Sequence, residues 1–292
     1  DVNLPVHTPD GTKLLRDVKT GDVLLNPAGG TTKVLHAHPI HETQVYRMTF
    51  SDGSIIDACK DHKWYGAWRC DKNSPFERWD NDLCVKNTQQ IFDHYDNFKN
   101  AVAKRRFRIP LTLPLEYNTK DLTIDPYLLG CLLGDGCITQ PNLIKQTTHK
   151  SDLPFYLIRT HRVKGNCHDI FLKKKESLKF STLLEDMGLL GKNSSNKFIP
   201  SIYLLGDIEQ RKALLQGLLD TDGGVYTPTG RKEHRIAFTT TSKLLKEGFC
   251  KLAASLGYAV TPYLRPARDK VEKDGTVYNC KPCWHIEIKS RD

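Results

Sequence analysis

"LLGCLLGDG", residues 128–136, reads as an apolar helix interrupted by glycine. Three glycines in nine residues should weaken a helix by roughly 1 kcal/mol each relative to alanine. The run also ends on an acid, Asp135, followed by Gly136. Upstream, Asp125 suits a helix N-cap with Pro126 at the first position, which predicts about three turns that stop on Gly136. The pattern occurs twice. In "ALLQGLLDTDGG", residues 213–224, apolar turns again lead to a glycine, an acid and further glycines.

Superposing residues 128–136 on 215–223 aligns Gly130 with Gly217, Asp135 with Asp222 and Gly136 with Gly223. Small residues recur four apart in each copy, Gly130 with Gly134 and Gly217 with Thr221. That spacing puts them on one helix face, where two backbones can approach closely. Packing the two faces together would bring both C-terminal acids to one point. Adjacent carboxylates repel unless a cation lies between them. A divalent metal, its shell completed by oxygen ligands and phosphate oxygens, is the natural compensation. On a basic chain such a site points to phosphodiester hydrolysis. The competing reading is two ordinary core helices with exposed acids, and the matched copies argue against it.

Lys and Arg number 43 against 34 acids, a formal charge of +9. Residues 1–120 hold 17 basic and 15 acidic side chains, against 26 and 19 in residues 121–292, so the basic excess sits with the paired motifs. This suits a polyanionic partner. No apolar run approaches the eighteen or so residues of a membrane span. The start "DVNLPVHTPDG" lacks signal-peptide character, so the expectation is an intracellular protein of cytoplasm, nucleoid or nucleus. Nine cysteines, an odd count without small-scaffold spacing, read as reduced thiols. Cys280 and Cys283 form one CxxC; a zinc there would need Cys167 with His168, or Cys70 with Cys84, as a second pair.

Residues 1–66 alternate short strand-like runs with turn signals such as "PDG" and "SDG". Residues 67–87 read as a polar insertion, and "NTQQIFDHYDNF" as a helix capped by Asn87 or Thr88. Residues 99–120 read as a proline-rich linker whose Lys104, Arg105, Arg106 and Arg108 could lie along phosphates. After each motif come strands and then an amphipathic helix ending in glycine, "LLEDMGL" and "LAASLGY". Matching these two extends the duplication over most of residues 121–292, with halves 121–200 and 201–292.

The paired motifs resemble those of the LAGLIDADG homing endonucleases, in their single-chain, two-repeat form. The second copy matches six of the nine consensus letters, and "NKFIP" before "RKALLQGLLDTDG" is similar to the join between halves in intein-borne members. The resemblance implies an α+β fold, a pseudo-twofold pair of αββαββα halves whose sheets form a DNA-binding saddle. It implies Asp135 and Asp222 as the metal-binding acids, with Gly134 and Thr221 in the ligand set. Two or three Mg²⁺ ions would be shared between the acids, with Mn²⁺ or Ca²⁺ able to substitute for binding. Asp220 has Leu133 as its counterpart and is taken as structural. A lysine is expected near the metals in each half: "KFIP" selects Lys197, and Lys281 is chosen in the second half over Lys270 and Lys289. The implied partner is a long, asymmetric double-stranded DNA bound by a monomer. Base and backbone contacts are expected from Lys145, Gln146, Thr148, Arg231, Lys232, His234, Arg235, Arg265 and Arg268, and phosphate contacts from Lys173, Lys174 and Lys175.

Residues 1–98 resemble the opening of a Hint module, the β-fold of inteins. In "DACKDHKW", His62 matches the histidine that assists the first acyl shift, and Cys59 stands where threonine is usual. A nucleophile at residue 1 and a terminal His-Asn pair are not in this sequence, so splicing by the usual chemistry is not expected of it as written. A splicing element and a non-cleaving nucleic-acid-binding relative, such as a maturase, stand as the alternatives to a nuclease.

Overall fold

The computed structural model describes residues 2–40, 42–69, 83–97, 106–141, 144–149, 160–164, 167–171, 174–227, 234–271, 275 and 277–289. Its helices are α1 (Thr88–Asn97), α2 (Pro126–Leu133), α3 (Lys174–Asp186), α4 (Ser201–Leu204), α5 (Ile208–Asp222) and α6 (Lys243–Ser255). Capping residues set their starts. The Asn87 side chain accepts from Gln90 N and the Gln90 side chain from Asn87 N, so Asn87 is the cap of α1. Asp125 accepts from Leu128 N ahead of Pro126, as expected for α2. Asp207 and Gln210 form the same reciprocal box at α5.

The end of α2 departs from expectation. It closes at Leu133 with Gly134 as C-cap, and Gly136 opens a strand instead of ending the helix. A methyl at Gly136 would stand 2.3 Å from Leu132 O, so the chain turns back too tightly over the last helical turn for any side chain. Gly223, the equivalent residue after α5, has the same relation to Leu219 O at 2.2 Å.

Each motif helix feeds an antiparallel four-stranded sheet. The first runs Gly136–Cys137, Lys145–His149, Cys167–Phe171, Thr160–Lys164, and the second Gly223–Tyr226, Arg235–Thr240, Cys283–Lys289, Ala259–Arg265. Both therefore follow the spatial order first, second, fourth, third. Between its third and fourth strands the second sheet carries an extra hairpin, Arg268–Val271 with Val277–Cys280. The helices "LLEDMGL" and "LAASLGY" do not correspond: α3 follows the fourth strand of its sheet, whereas α6 follows the second strand of the other. They look alike because each ends in a left-handed glycine, Gly188 at φ 69° and Gly257 at φ 85°. That is a local way to stop a helix and says nothing about position in a repeat.

One apolar cluster spans both halves, from Leu129 and Leu132 through Leu214 and Leu218 to Phe238, Phe249 and Ile286. The N-terminal part is a set of small hairpins with its own minor core of Ala58, Trp64 and Ile91. Residues 67–87 are not wholly an insertion, because Lys63–Arg69 and Cys84–Asn87 are paired strands; residues 70–82 lie outside the described residues. Nor are Arg106 and Arg108 part of a free arm, since Arg106–Arg108 adds a third strand to that sheet.

The proline-rich segment that follows is bound rather than solvated. Leu113 N donates to Pro27 O, Leu115 N to Ser255 O, and Asn118 N to Pro9 O. Beneath it lies Arg211, 0% exposed. Its guanidinium donates to Gly206 O and to Ser255 O and Oγ at 2.6–2.8 Å, and also to Leu115 O. It sits 4.9 Å from the ring centre of Tyr117, whose hydroxyl hydrogen-bonds His7. Removing this cation strands several buried carbonyls, each worth about 1–3 kcal/mol unsatisfied. We therefore expect Arg211→Met to lower the unfolding free energy by about 3 kcal/mol or more, read by chemical denaturation.

Candidate active site at the helix crossing

Helices α2 and α5 cross through their small faces, and the contacts are reciprocal. A methyl at Gly130 would lie 2.5 Å from Leu214 O, and one at Gly217 would lie 2.1 Å from Tyr127 O. Gly134 meets the Thr221 side chain, whose Oγ1 would be 2.0 Å from an added methyl. Glycine is thus required by backbone packed on backbone. Thr221 Oγ1 turns back onto Gly217 O and Leu218 O at 3.0 Å. Tyr127, on α2, donates its hydroxyl to Asp220 at 2.9 Å. This ties the motif's earlier acid to the facing helix.

Asp222 is the last residue of α5, and Asp135 lies two residues beyond α2. Helix C-termini carry negative partial charge, so neither helix relieves its acid. Asp222 is half-buried; loss of hydration, then the charge of Asp135, pushes its pKa up to about 6. Asp135 is more exposed, and desolvation raises its pKa as well. Lys197 opposes the shift at both carboxylates.

Lys197 is 3% exposed. Its ammonium donates to Leu132 O, Gly134 O and Gly136 O at 2.7–2.9 Å, bridging the end of α2 and the start of the strand that follows. Burial lowers its pKa to about 8, while Asp222 and Asp135 favour its charged form. Its own carbonyl accepts from Ser242 Oγ, the N-cap of α6, at 2.6 Å. With three carbonyls on three protons, Lys197 acts on the acids through its field and by fixing α2. Lys281, by contrast, is exposed in the turn between Cys280 and Cys283, and Lys197 is the cation that acts on both acids. Lys270 stands in the extra hairpin, and Lys289 pairs with Ala259 at a strand end.

Among the described residues no three His, Cys, Asp or Glu side chains gather to hold a metal. Asp135 and Asp222 form a two-carboxylate site, a donor set that suits a hard cation completed by water and phosphate oxygens. Stability should report such binding. A raised carboxylate pKa means the folded chain holds that proton more tightly, so the Asp222 contribution falls as pH rises from 3.8 to about 6. The lowered pKa of Lys197 gives a contribution that recovers only from about 8 towards 10.5. Between these windows the bare site is destabilising. Mg²⁺ at a hundredfold excess over Kd is expected to add about 2.7 kcal/mol at pH 7.5. The gain should shrink towards pH 5, where a proton competes at Asp222, and thermal melts across pH read it directly.

The strands after Asp222 carry polar and aromatic side chains on one face of the second sheet. In the second sheet Phe238, Ile286 and Ile288 enter the core, so by strand alternation Arg235, His285 and Glu287 face the other way. Arg235 Nη1 donates to Glu287 at 2.7 Å, Tyr226 donates to the other oxygen of Glu287, and Arg265 Nη2 donates to Tyr263 OH at 3.1 Å. His285, 5% exposed, contacts Thr239 Oγ1 through Nδ1 and lies between Tyr226 and Tyr263. Sequence reading passed over Tyr226, Tyr263, His285 and Glu287. The alternation in "CWHIEIK", polar at every second residue, is the signal that marks the last two.

The remaining expected contacts are scattered. Lys145 is half-buried at the start of its strand, with Gln146 and Thr148 further along it, and Lys174 and Lys175 open α3. His234 Nδ1 pairs with Thr227 Oγ1 at 2.9 Å, and Arg268 begins the extra hairpin. Lys104, Arg105, Lys173, Arg231 and Lys232 lie outside the described residues. In the N-terminal part, His62 N closes a turn on Cys59 O at 3.2 Å. Cys59 lines a largely apolar cavity of about 500 Å³ together with Leu15, Leu24 and Val34. No helix among the described residues is long and apolar enough to cross a membrane.

A family model described as a LAGLIDADG-like domain matches residues 209–290. The chain is 27% identical over 289 residues to the replicative DNA helicase DnaB of Mycobacterium intracellulare, spanning 95% of this chain and 46% of that protein. It is 30% identical over 124 residues to the homothallic switching endonuclease of Saccharomyces cerevisiae, 42% of this chain and 19% of that protein. The chain thus spans less than half the length of these curated relatives. A crystal structure of I-DmoI in complex with DNA and Ca aligns over 57% of this chain and 83% of that one, at 14% identity and a TM-score of 0.35.

Proposed function

We propose that this chain is a site-specific DNA endonuclease that hydrolyses phosphodiester bonds in both strands of a long, asymmetric target, acting as a monomer. The observation that carries this reading is the glycine-mediated crossing of α2 and α5, which delivers two mutually repelling carboxylates to one point between two sheets. Similarity of residues 209–290 to a LAGLIDADG-like domain supports it.

When bound, Mg²⁺ would supply charge neutralisation at the scissile phosphate and a more acidic water. Asp135 and Asp222 would hold it. The helix crossing fixes their spacing, since the glycine contacts leave no room for the helices to slide. Lys197 is a positioning residue: it locks the end of α2, and its field favours the charged form of both acids near neutral pH. Tyr127 keeps Asp220 out of the cluster. The sheets that follow the acids would cradle the duplex, with backbone contacts setting register and strand side chains reading bases. We assign the N-terminal hairpins, with Cys59 and His62 on one turn, to a Hint-like module of an intein-borne enzyme.

The test is a randomised plasmid library incubated with the protein. Linear product is expected with Mg²⁺ and none with EDTA, and restored Mg²⁺ should bring cutting back. A library retained by the protein but never cut under any divalent cation would favour the non-cleaving alternative.

A further inference from the structure

We infer that Arg235 and Arg265 are a guanine-reading pair on the second sheet, aimed by Glu287 and Tyr263 and separated by about six base pairs of target. The inference rests on the endonuclease reading above and specifies what one half of that site recognises.

Both arginines belong to the polar face of the second sheet, and both are held by a neighbour on it. Glu287 takes Arg235 Nη1 in an ion pair whose side chains are only 22% and 12% exposed. Tyr226 occupies the second oxygen of Glu287, so the carboxylate cannot swing away with its partner. The guanidinium is a rigid planar fork, so engaging Nη1 with Glu287 restricts where its Nε and Nη2 donors can point. Arg265 lies over the Tyr263 ring, 5.5 Å from its centre, and donates to the hydroxyl of the same residue. Tyr263 is itself packed on buried His285. An arginine that only met phosphate would gain little from such a mount, because a phosphate can be approached from many directions. A planar fork held in one orientation suits guanine, whose O6 and N7 accept two parallel hydrogen bonds in the major groove.

The spacing follows from strand register. Ile236 pairs with Ile288, which sets Arg235 level with Lys289, and Arg265 pairs with Cys283. The two therefore differ by six residues along the strand Cys283–Lys289. At about 3.4 Å per residue this is roughly 20 Å, and one nucleotide step along a strand is also about 3.4 Å. A strand tracking the groove thus sets the two guanines about six base pairs apart in the same half of the target.

The experiment selects retained duplexes from a randomised library in Ca²⁺, then sequences them for the wild type, Arg235→Ala, Arg265→Ala, Glu287→Gln and Tyr263→Phe. The wild-type profile should contain two guanine positions five to seven base pairs apart, by the register estimate above. Arg235→Ala should flatten one and Arg265→Ala the other, each by roughly five- to hundredfold in preference. Glu287→Gln should weaken the same position as Arg235→Ala, and Tyr263→Phe the same position as Arg265→Ala, with the rest of the profile kept. If the arginine variants bind every sequence uniformly more weakly with an unaltered profile, the arginines are phosphate contacts and the inference is overturned. If the wild type retains no sequence at all, the endonuclease reading falls first. Thermal melts of each variant separate lost recognition from lost folding.

Discussion

Asparagine at Asp135 or Asp222 is expected to abolish double-strand cleavage while leaving DNA binding in place. The substitution keeps size and shape but removes a charged metal ligand, and the ion it holds contributes several kcal/mol to such a reaction. A loss of at least about 10³-fold in the cleavage rate follows, measurable as conversion of supercoiled target plasmid. The same substitutions should stabilise the metal-free fold, most clearly Asp222→Asn, since it removes a carboxylate whose pKa is raised by burial and by Asp135. Opposite movement of activity and melting temperature is the signature of an acid kept for chemistry. An Asp222→Asn protein that melts lower, or still cuts both strands at the wild-type rate, would sink the assignment.

Alanine at Gly217 should be nearly as damaging, for a different reason. Its methyl would stand 2.1 Å from Tyr127 O and 3.0 Å from Cys131 N, both backbone atoms that cannot rotate away. The helices must separate, at a cost of about 3 kcal/mol by analogy with overpacked cores. The acids then shift by about 1 Å, enough to lose on the order of 10²-fold in rate even where the protein still folds. Gly130→Ala should behave alike, facing Leu214 O and Leu218 N. Gly224→Ala, with nothing within 4 Å of the added methyl, should change stability by no more than about 0.5 kcal/mol. Denaturant midpoints for the three variants decide the matter.

The crossing was legible in the sequence because small residues at fixed spacing, followed by an acid, are a local code repeated twice. Helix caps at Asn87 and Asp125 are local codes too. What escaped depends on distance. That Lys197 would reach carbonyls at the end of α2 and at the start of the next strand follows from contacts more than 60 residues away in sequence, although its motif did single it out. Lys281 sits in an exposed turn after a hairpin that has no counterpart among the described residues of the first half. The linker was misjudged since Arg211, its buried anchor, reads in sequence as one more surface charge on an amphipathic helix.

The crossing also bears on how such a molecule could be recombined. Gly130 opposes Leu214 O and Gly217 opposes Tyr127 O, and residues 127 and 130 stand to α2 as 214 and 217 stand to α5. Exchange of the two helices leaves these two glycine contacts unchanged, but, one turn on, Gly134 faces Thr221 with no room for a methyl, so two second halves mated to each other would set Thr221 against Thr221. The interface therefore records which half is which, in Gly134 against Thr221 and in Tyr127 held to Asp220. Lys197 adds to that record, one buried cation whose charge acts on both acids. Left and right in this molecule are distinguished by a glycine, a tyrosine hydroxyl and a buried charge.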